Sequence, residues 1–547
     1  MHKSIYLAAV FSIAGLLTSF IPVAQAATSA SKSSATRTES TTHAAANRSA
    51  PLTLKSYMTR PKLIVAIVID QFRADYLTRF ESKFLPAKGK NRKSDTAIGG
   101  FNYLMDKGAY FPFAEYEVLQ NMTCPGHATI LTGSLPYANH IPLNDWYDAK
   151  SGKMVYCSED DNFPLIGATG NGVAPTRLAA TTVGDELKNS GRTSQVVTVS
   201  LKDRAAVMLG GHRADLAMWF DEKSWQWISS KYYLSNGELP AWLNELNSKV
   251  VKTIPEDTKK ALATPTGNDV TVDAAIEAAK AFKLGQGKDT DVLAVSFSSH
   301  DILGHHVGPN SDQMEPMTLS EDKNLARLFS SLNKTVPGGI ENVTIVLTGD
   351  HGMAPDVEYS TNAKITAGKI DQVDIMKSAN PLLAKKFGKP DHGDWILATH
   401  SFNLYMNHEA LNEKKDGGKE VIAAVKAMLL TEPGVEGVVT SIDYVDGTLP
   451  PGMFRSQIMN SYVPGESGDL IIIPKAFFME IHDFDTHMTG YSYDRNVPLL
   501  LKGAHLKAGV YSTKAHVTDL APTLSFLLGV LPPSHNEGRV LSEAISD

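Results

Sequence analysis

Four stretches of the chain are almost unbroken apolar runs, and each ends in residues that carry chemistry. Leu63–Ile69 (LIVAIVI) has no polar alternation and is rich in β-branched side chains. That pattern predicts a strand buried on both faces of a parallel sheet, and the run ends at Asp70. Gln195–Ser200 (QVVTVS) repeats the pattern and is followed by Lys202 and Arg204. Asp291–Phe297 (DVLAVSF) leads to Asp301 and His305, and Val343–Thr348 (VTIVLT) leads to Gly349-Asp350-His351-Gly352. Helical patterns lie between these runs: Arg177–Asn189 before Gly191, Val272–Lys283 before Gly285, and Glu321–Lys334 before Pro337 and Gly338. Strands alternating with helices predict a doubly wound α/β fold, with a largely parallel central sheet and helices on both faces. Leu470–Ile473 and Val497–Leu501 read as further strands, and Asp519–Leu528 as a late helix.

In open α/β sheets, ligands bind beyond the carboxyl ends of the strands. One Asp after a strand is commonly a helix cap, but four strand ends carrying Asp, His, Lys and Arg point to a shared metal and anion site. Asp301 and His305 are spaced i, i+4, so one helical turn puts both on one face. Asp350 and His351 are adjacent, and a turn can aim both inward. Carboxylate oxygen with imidazole nitrogen suits Zn2+. Asp70, Asp301, His305, Asp350 and His351 exceed the usual ligand count of one catalytic zinc. Two metals roughly 3.5–4 Å apart would use them all. By chemistry alone, His300 and His306 rival His305.

Composition narrows the partners. The 547 residues are 43% hydrophobic and 20% charged, and Lys+Arg 52 against Asp+Glu 59 gives a net charge of −7. That balance argues against a nucleic-acid scaffold partner. Met1-His2-Lys3, the apolar run Ile5–Ile21 and Ala24-Gln25-Ala26 read as a signal peptide over 1–26, the alternative being an uncleaved anchor. Residues 27–55 form a Ser/Thr/Ala-rich leader with little apolar content, expected to be flexible. No later run approaches the roughly 18–20 apolar residues of a spanning helix, so no membrane insertion is expected after cleavage. The mature chain is expected in the periplasm or outside the cell. Two cysteines in an oxidising compartment predict one bridge, Cys124–Cys157, with free buried thiols as the alternative.

The nucleophile candidate lies in Asn121-Met-Thr-Cys-Pro-Gly-His127. Pro125 suits a first helical turn, placing Thr123 and Cys124 at the N-terminus, where free N–H groups and the helix dipole favour an oxyanion. A metal would activate Thr123, whereas alone it would serve as an N-cap; a Cys124 thiolate is the chemical rival. If the chain stays extended, Lys202 and Arg204 project to one face, and a point charge beside a planar fork suits a phosphoryl group.

Taken together, VIDQFRADYL, NMTCPGHATILTGSLPYANHIPLNDWYD, SLKDR, SHDILGHHVGP, LTGDHGM and DTHMTGYSYDRNVPLLL resemble the alkaline phosphatase superfamily. More narrowly, they resemble the PafA-type periplasmic alkaline phosphatases, from about Lys62 to the C-terminus. The resemblance implies an alkaline-phosphatase-like fold with inserted cap segments and two Zn2+. One zinc would be held by Asp301, His305 and His487, and the other by Asp70, Asp350, His351 and the Thr123 oxygen. Asn144, the Cys124 amide, Lys202 and Arg204 would bind phosphoryl oxygen. Only the motif THMTGYSYD selects His487 over nearby His482. The chain departs from sulfatases, whose C/S-x-P-x-R motif is here Thr123-Cys-Pro-Gly-His127. It also lacks the D-S-A motif of the three-metal enzymes.

The expected organisation is a catalytic domain over 56–547 with inserts near 205–270 and 356–465. Trp219, Trp225, Trp227 and Trp242 concentrate in the first insert, as a cap over the leaving-group side or as a small core of their own. The expected function is an exported two-zinc alkaline phosphatase acting on small phosphate monoesters through a phospho-threonine intermediate. The alternatives are a phosphodiesterase or nucleotide pyrophosphatase of the same superfamily, or a silent phosphate- or phospholipid-binding protein.

Overall fold

The computed structural model describes residues 59–546, apart from 86–97, 255–257, 450 and 483–485. The expectations for residues 1–26 and 27–55 lie outside the described residues.

Seven strands form the heart of an 11-stranded sheet: β1 (Leu63–Ile69), β2 (Ala109–Glu115), β3 (Val196–Ser200), β4 (Leu216–Asp221), β5 (Asp291–Phe297), β6 (Val343–Gly349) and β7 (Asn496–Lys502). Their spatial order is β2-β7-β6-β1-β5-β3-β4. Strand β1 pairs in parallel with β6 and β5, and β3 pairs in parallel with β5 and β4. Strand β7 is antiparallel to both β6 and β2. The four apolar runs are therefore the four central parallel strands. Their continuous apolarity follows from two packed faces. Leu63, Val65, Ile67 and Ile69 enter one core, while Ile64, Ala66 and Val68 enter the other. Each Leu, Ile or Val side chain withdrawn from water contributes about 1.5–3 kcal/mol.

Helices cover both faces. Pro265–Ala281 and Met314–Thr335 pack on the first core; α1 (Thr123–Thr132) and Leu520–Leu528 pack on the second. The pattern over Arg177–Asn189 forms a helix only from Val183. Thr182 and Asp185 make a capping box there and set its start. Among the described residues, no helix is long and apolar enough to cross a membrane.

The two long segments behave differently. Within 205–270, β4 and the strand Gln226–Ser230 extend the central sheet, and Trp227 is buried in its main core. Trp219 and Trp227 sit on strands that pair with the sheet edge, while Trp242 lies on the helix Ala241–Thr253. The segment after His351 has its own four-stranded antiparallel sheet, Ile396–His400, Asn403–Met406, Leu470–Pro474 and Val435–Thr440, with its own core. The expected strand at Leu470–Ile473 forms, but in this second sheet rather than the central one.

Candidate active site

The carboxyl ends of the central strands place the acidic residues. Asp70 follows β1 and is fully buried, as are Asp350 and His351 after β6. Strand β5 runs into the helix Ser299–Val307, which carries Asp301 in its first turn and His305 one turn later. The structure sorts the expected ligands into two groups, Asp70/Asp350/His351 and Asp301/His305/His487, with the ligand atoms of each group within 4.8 Å of one another. His487 packs on His351 with ring centroids 3.7 Å apart. The rival histidines fall outside both groups, although His306 and His482 line the cavity beside the second. His300 Nδ1 meets Glu321 at 3.0 Å in the core, His306 is exposed, and His482 lies 3.1 Å from Glu480.

The donor atoms of the first group point at a common centre rather than at one another. Asp70 Oδ1, Asp350 Oδ2 and His351 Nε2 are buried without a hydrogen bond. Yet His351 Nε2 lies 3.2 Å from Asp70 Oδ1 and 3.6 Å from Asp350 Oδ2. His127 Nδ1 is 3.1 Å from the same Asp350 oxygen but donates to the Thr123 carbonyl at 2.8 Å. Buried acceptors without donors are costly, and a cation resolves them. The tautomers agree. His351 Nδ1 donates to the Gly352 carbonyl (3.0 Å) and His487 Nδ1 to that of Asn121 (2.7 Å), so each Nε2 faces the site. The residues fit divalent cations with oxygen and nitrogen ligands.

Electrostatics follow the same division. Burial alone would raise the Asp301 carboxyl, but His305 and Lys202 hold it well below the usual carboxylate range. Burial would likewise raise Asp350, and His351 and His127 bring it down. For His351, burial opposes the charge, yet Asp350 and Asp70 outweigh it and push the imidazole up to about 9. Burial and the neighbouring His351 and His305 drive His487 the other way, well below its ordinary value.

Thr123 is the first residue of α1, not its cap. Met122 occupies the N-cap with no side-chain bond, leaving Thr123 Oγ1 3.4 Å from Lys202 Nζ. The Cys124 amide donates to Asn144 Oδ1 at 2.7 Å, so in this structure it meets Asn144 rather than open space. The sulfur of Cys124 is bonded to Cys157, which removes the thiolate alternative. Lys202 Nζ lies 2.6 Å from Asp70 Oδ2 and 2.5 Å from Asp301 Oδ2, bridging the two groups. Arg204 Nη1 donates to the Tyr156 hydroxyl at 3.2 Å. The chain is not extended between them. Lys202 is the N-cap of the helix Asp203–Gly210 and Arg204 its second residue, yet both line one cavity of about 380 Å³. Asn144, Asp301, His305 and His487 also line it, whereas Asp70, Asp350 and His351 lie beneath its surface.

Three further residues belong to the site. Gln71, at φ 65°, donates its amide N–H to Asp350 Oδ1 (3.0 Å) and Nε2 to Asp301 Oδ1 (2.7 Å), tying the groups together. Asn121 Nδ2 donates to the Asp350 carbonyl at 2.9 Å. His127 stands one helical turn after Thr123, with Nε2 2.8 Å from Ser296 Oγ. Their place beside Asp70 and Thr123 was the available signal, since their partners are remote in sequence.

Residues 64–486 match the type I phosphodiesterase / nucleotide pyrophosphatase family. The chain is 33% identical over 538 residues to alkaline phosphatase PafA of Elizabethkingia meningoseptica, covering 89% of this chain and 95% of that protein. It is 30% identical over 544 residues to alkaline phosphatase PhoV of Synechococcus elongatus, covering 90% and 95%. A crystal structure of wild-type PafA superposes with a TM-score of 0.80 at 32% identity, covering 89% of this chain and 99% of that one. Murine ectonucleotide pyrophosphatase / phosphodiesterase 5 shares the fold at 17% identity, with a TM-score of 0.53 and coverage of 88% and 100%. With these strand-end ligands, this sheet and these relatives, the chain belongs to the alkaline phosphatase superfamily and, within it, to the type I phosphodiesterase / nucleotide pyrophosphatase family.

Proposed function

We propose that the chain is an exported two-zinc alkaline phosphatase that hydrolyses small phosphate monoesters through a phospho-threonine intermediate. The observation that carries the reading is the Thr123 hydroxyl at the head of α1, next to Lys202, which itself touches a carboxylate from each ligand group. The relatives named alkaline phosphatase support the reaction class.

Two Zn2+ held by Asp70/Asp350/His351 and Asp301/His305/His487 would supply Lewis acidity to the Thr123 hydroxyl and to the departing oxygen. Thr123 Oγ1 attacks phosphorus in line, forming the new O–P bond as the ester O–P bond breaks. The free N–H groups and positive dipole end of α1 favour the negative charge developing there. Asn144, oriented by the Cys124 amide, keeps its NH2 group for a phosphoryl oxygen. Lys202 and Arg204 contribute positive charge and donors. Water then attacks the phospho-threonine, releasing phosphate and restoring the hydroxyl.

Specificity rests on charge. A monoester dianion presents more anionic oxygens than a diester, whose second ester group is neutral and bulky. Each charge-assisted contact is worth roughly 1.5–3 kcal/mol, so Lys202→Ala/Arg204→Ala should cost a monoester about 10²–10⁴-fold in kcat/KM. A diester of the same leaving group should lose much less. Equal losses would mean that the pair supports the fold or metal site generally, and a wild-type preference for the diester would favour the phosphodiesterase reading that the family description names.

A further inference from the structure

The cavity beside Lys202 has walls that phosphoryl binding and metal ligation do not use, among them Ile302, His306, His400, Ser401, His482 and Met488. His400 and Ser401 come from the second sheet, at the tip of the hairpin joining Ile396–His400 to Asn403–Met406. Its two turn residues, Ser401 and Phe402, have φ of 49° and 61°. Two-residue hairpins of that kind favour Asn and Gly. Here a serine and a fully buried phenylalanine occupy them, so the surroundings must hold the turn.

They do so through buried amides. The Ser401 carbonyl accepts from Gln120 Nε2 and from Asn403 Nδ2, the latter at 2.8 Å. Asn403 Nδ2 also reaches Gln120 Oε1 at 3.1 Å, and Asn403 Oδ1 accepts from the Gly468 amide at 2.9 Å. Gln120 lies three residues before Thr123. The hairpin tip is thus bolted to the segment that leads into the nucleophile, and the wall is fixed relative to the attacking oxygen.

The chemistry of that wall is specific. Asp145, next to the phosphoryl-binding Asn144, also lines the cavity. Burial raises its carboxyl, while the neighbouring charges of His400 and Arg204 oppose the rise. An imidazole can donate a hydrogen bond to a hydroxyl group or accept one from it. The Ser401 hydroxyl can both donate and accept, while Ile302 and Met488 are apolar. Of the two ligand groups, only Asp301/His305/His487 opens to the cavity, so an alcohol departing on that side leaves past this wall.

We propose that His400 and Ser401 form a leaving-group subsite selective for polyol phosphates, monoesters whose alcohol carries further hydroxyl groups. The proposal rests on the monoesterase reading above and names the substrate class of that site. Donor and acceptor groups alternating with apolar side chains match the alternating hydroxyl and C–H surface of a polyol.

The test compares glycerol 3-phosphate with propyl phosphate, the same three-carbon leaving group with and without its two hydroxyls. The zinc-loaded wild-type protein should show the higher kcat/KM on glycerol 3-phosphate. His400→Ala should lose roughly tenfold more on glycerol 3-phosphate than on propyl phosphate, as expected for one lost hydrogen bond in a desolvated site. Ser401→Gly, whose glycine is at ease at positive φ, keeps the turn and removes the CH2OH side chain. It should shift the same ratio by about threefold. Competitive inhibition by inorganic phosphate should change less than the ratio does. Equal wild-type rates on the two esters, or equal losses on both in the variants, would overturn the subsite. A wild-type protein that turns over neither monoester but cleaves a diester would remove the monoesterase reading, and the subsite with it.

Discussion

His351 shows how much a single residue's surroundings decide. Burial disfavours its charge, but the Asp350 and Asp70 carboxylates prevail and hold it protonated up to about pH 9 in the absence of a bound cation. A metal ligand must be deprotonated, so cation uptake releases that proton. Apparent zinc affinity should therefore rise about tenfold per pH unit up to about pH 9 from this residue alone, then level off. Competition titrations with a chelator at several pH values measure this, and a flat profile would contradict it. His127 acts on the same group from behind, 3.1 Å from Asp350 Oδ2. Partners of metal ligands are typically worth 10–100-fold in metal affinity, so His127→Ala should weaken zinc binding by that order with the fold retained. Unchanged affinity would make His127 a packing residue. At this scale, Asp70, Asp301, His305, Asp350 and His351 were legible because each follows an apolar strand. Gln71, Asn121 and His127 were not, since their partners lie in segments far off in sequence. His487 was legible only through its motif, because the sequence before it carries no periodic pattern.

Helix α1 carries the proposed nucleophile, and two features fix it against the strand ends. A Cβ on Gly126 would stand 2.5 Å from the Asp350 carbonyl oxygen, so the helix backbone packs directly on the ligand loop. Gly126→Ala must push the two apart. A displacement of about 1 Å can cost about 100-fold in rate, and kcat/KM on an aryl phosphate should fall by that order while thermal unfolding stays cooperative. Near-wild-type activity would show that the close approach is dispensable. The second feature is the Cys124–Cys157 bridge, which closes a loop of sequence separation 33. Its loss through Cys157→Ser should cost about 3–4 kcal/mol in urea unfolding if chain entropy dominates. No change would mean that the bridge constrains little in the unfolded chain. The elements were legible where their period is unmixed. The four central strands fall within a residue or so of their apolar runs, whereas Leu470–Pro474 was readable as a strand but not as part of a second sheet. Strand partners are set by tertiary packing, and an isolated apolar run does not encode them.

For the whole molecule, the ligand groups join elements that begin at β1 and end beyond the second sheet, at His487. Cations that bind the folded state alone must stabilise it by mass action, by about 2.7 kcal/mol at a hundredfold excess over Kd. Chelation should therefore both abolish turnover and lower the thermal midpoint, and Zn2+ should restore both. Inactivation without a thermal shift would separate the metals from the fold. The α/β architecture was legible because the buried parallel strands write their two-sided burial into sequence. The role of 205–270 was not, because tryptophans on strands that extend a sheet read in sequence the same as those of a small separate core.

Thr123 is the proposed acceptor of the phosphoryl group. The most direct measurement is peptide mass spectrometry of the zinc-loaded protein, acid-quenched during turnover of an aryl phosphate monoester. The account predicts one phosphoryl group on the peptide that carries Thr123, absent from Thr123→Ala, which should bind zinc but not turn over. Full turnover by Thr123→Ala, or a phosphoryl group trapped on another residue, would contradict it.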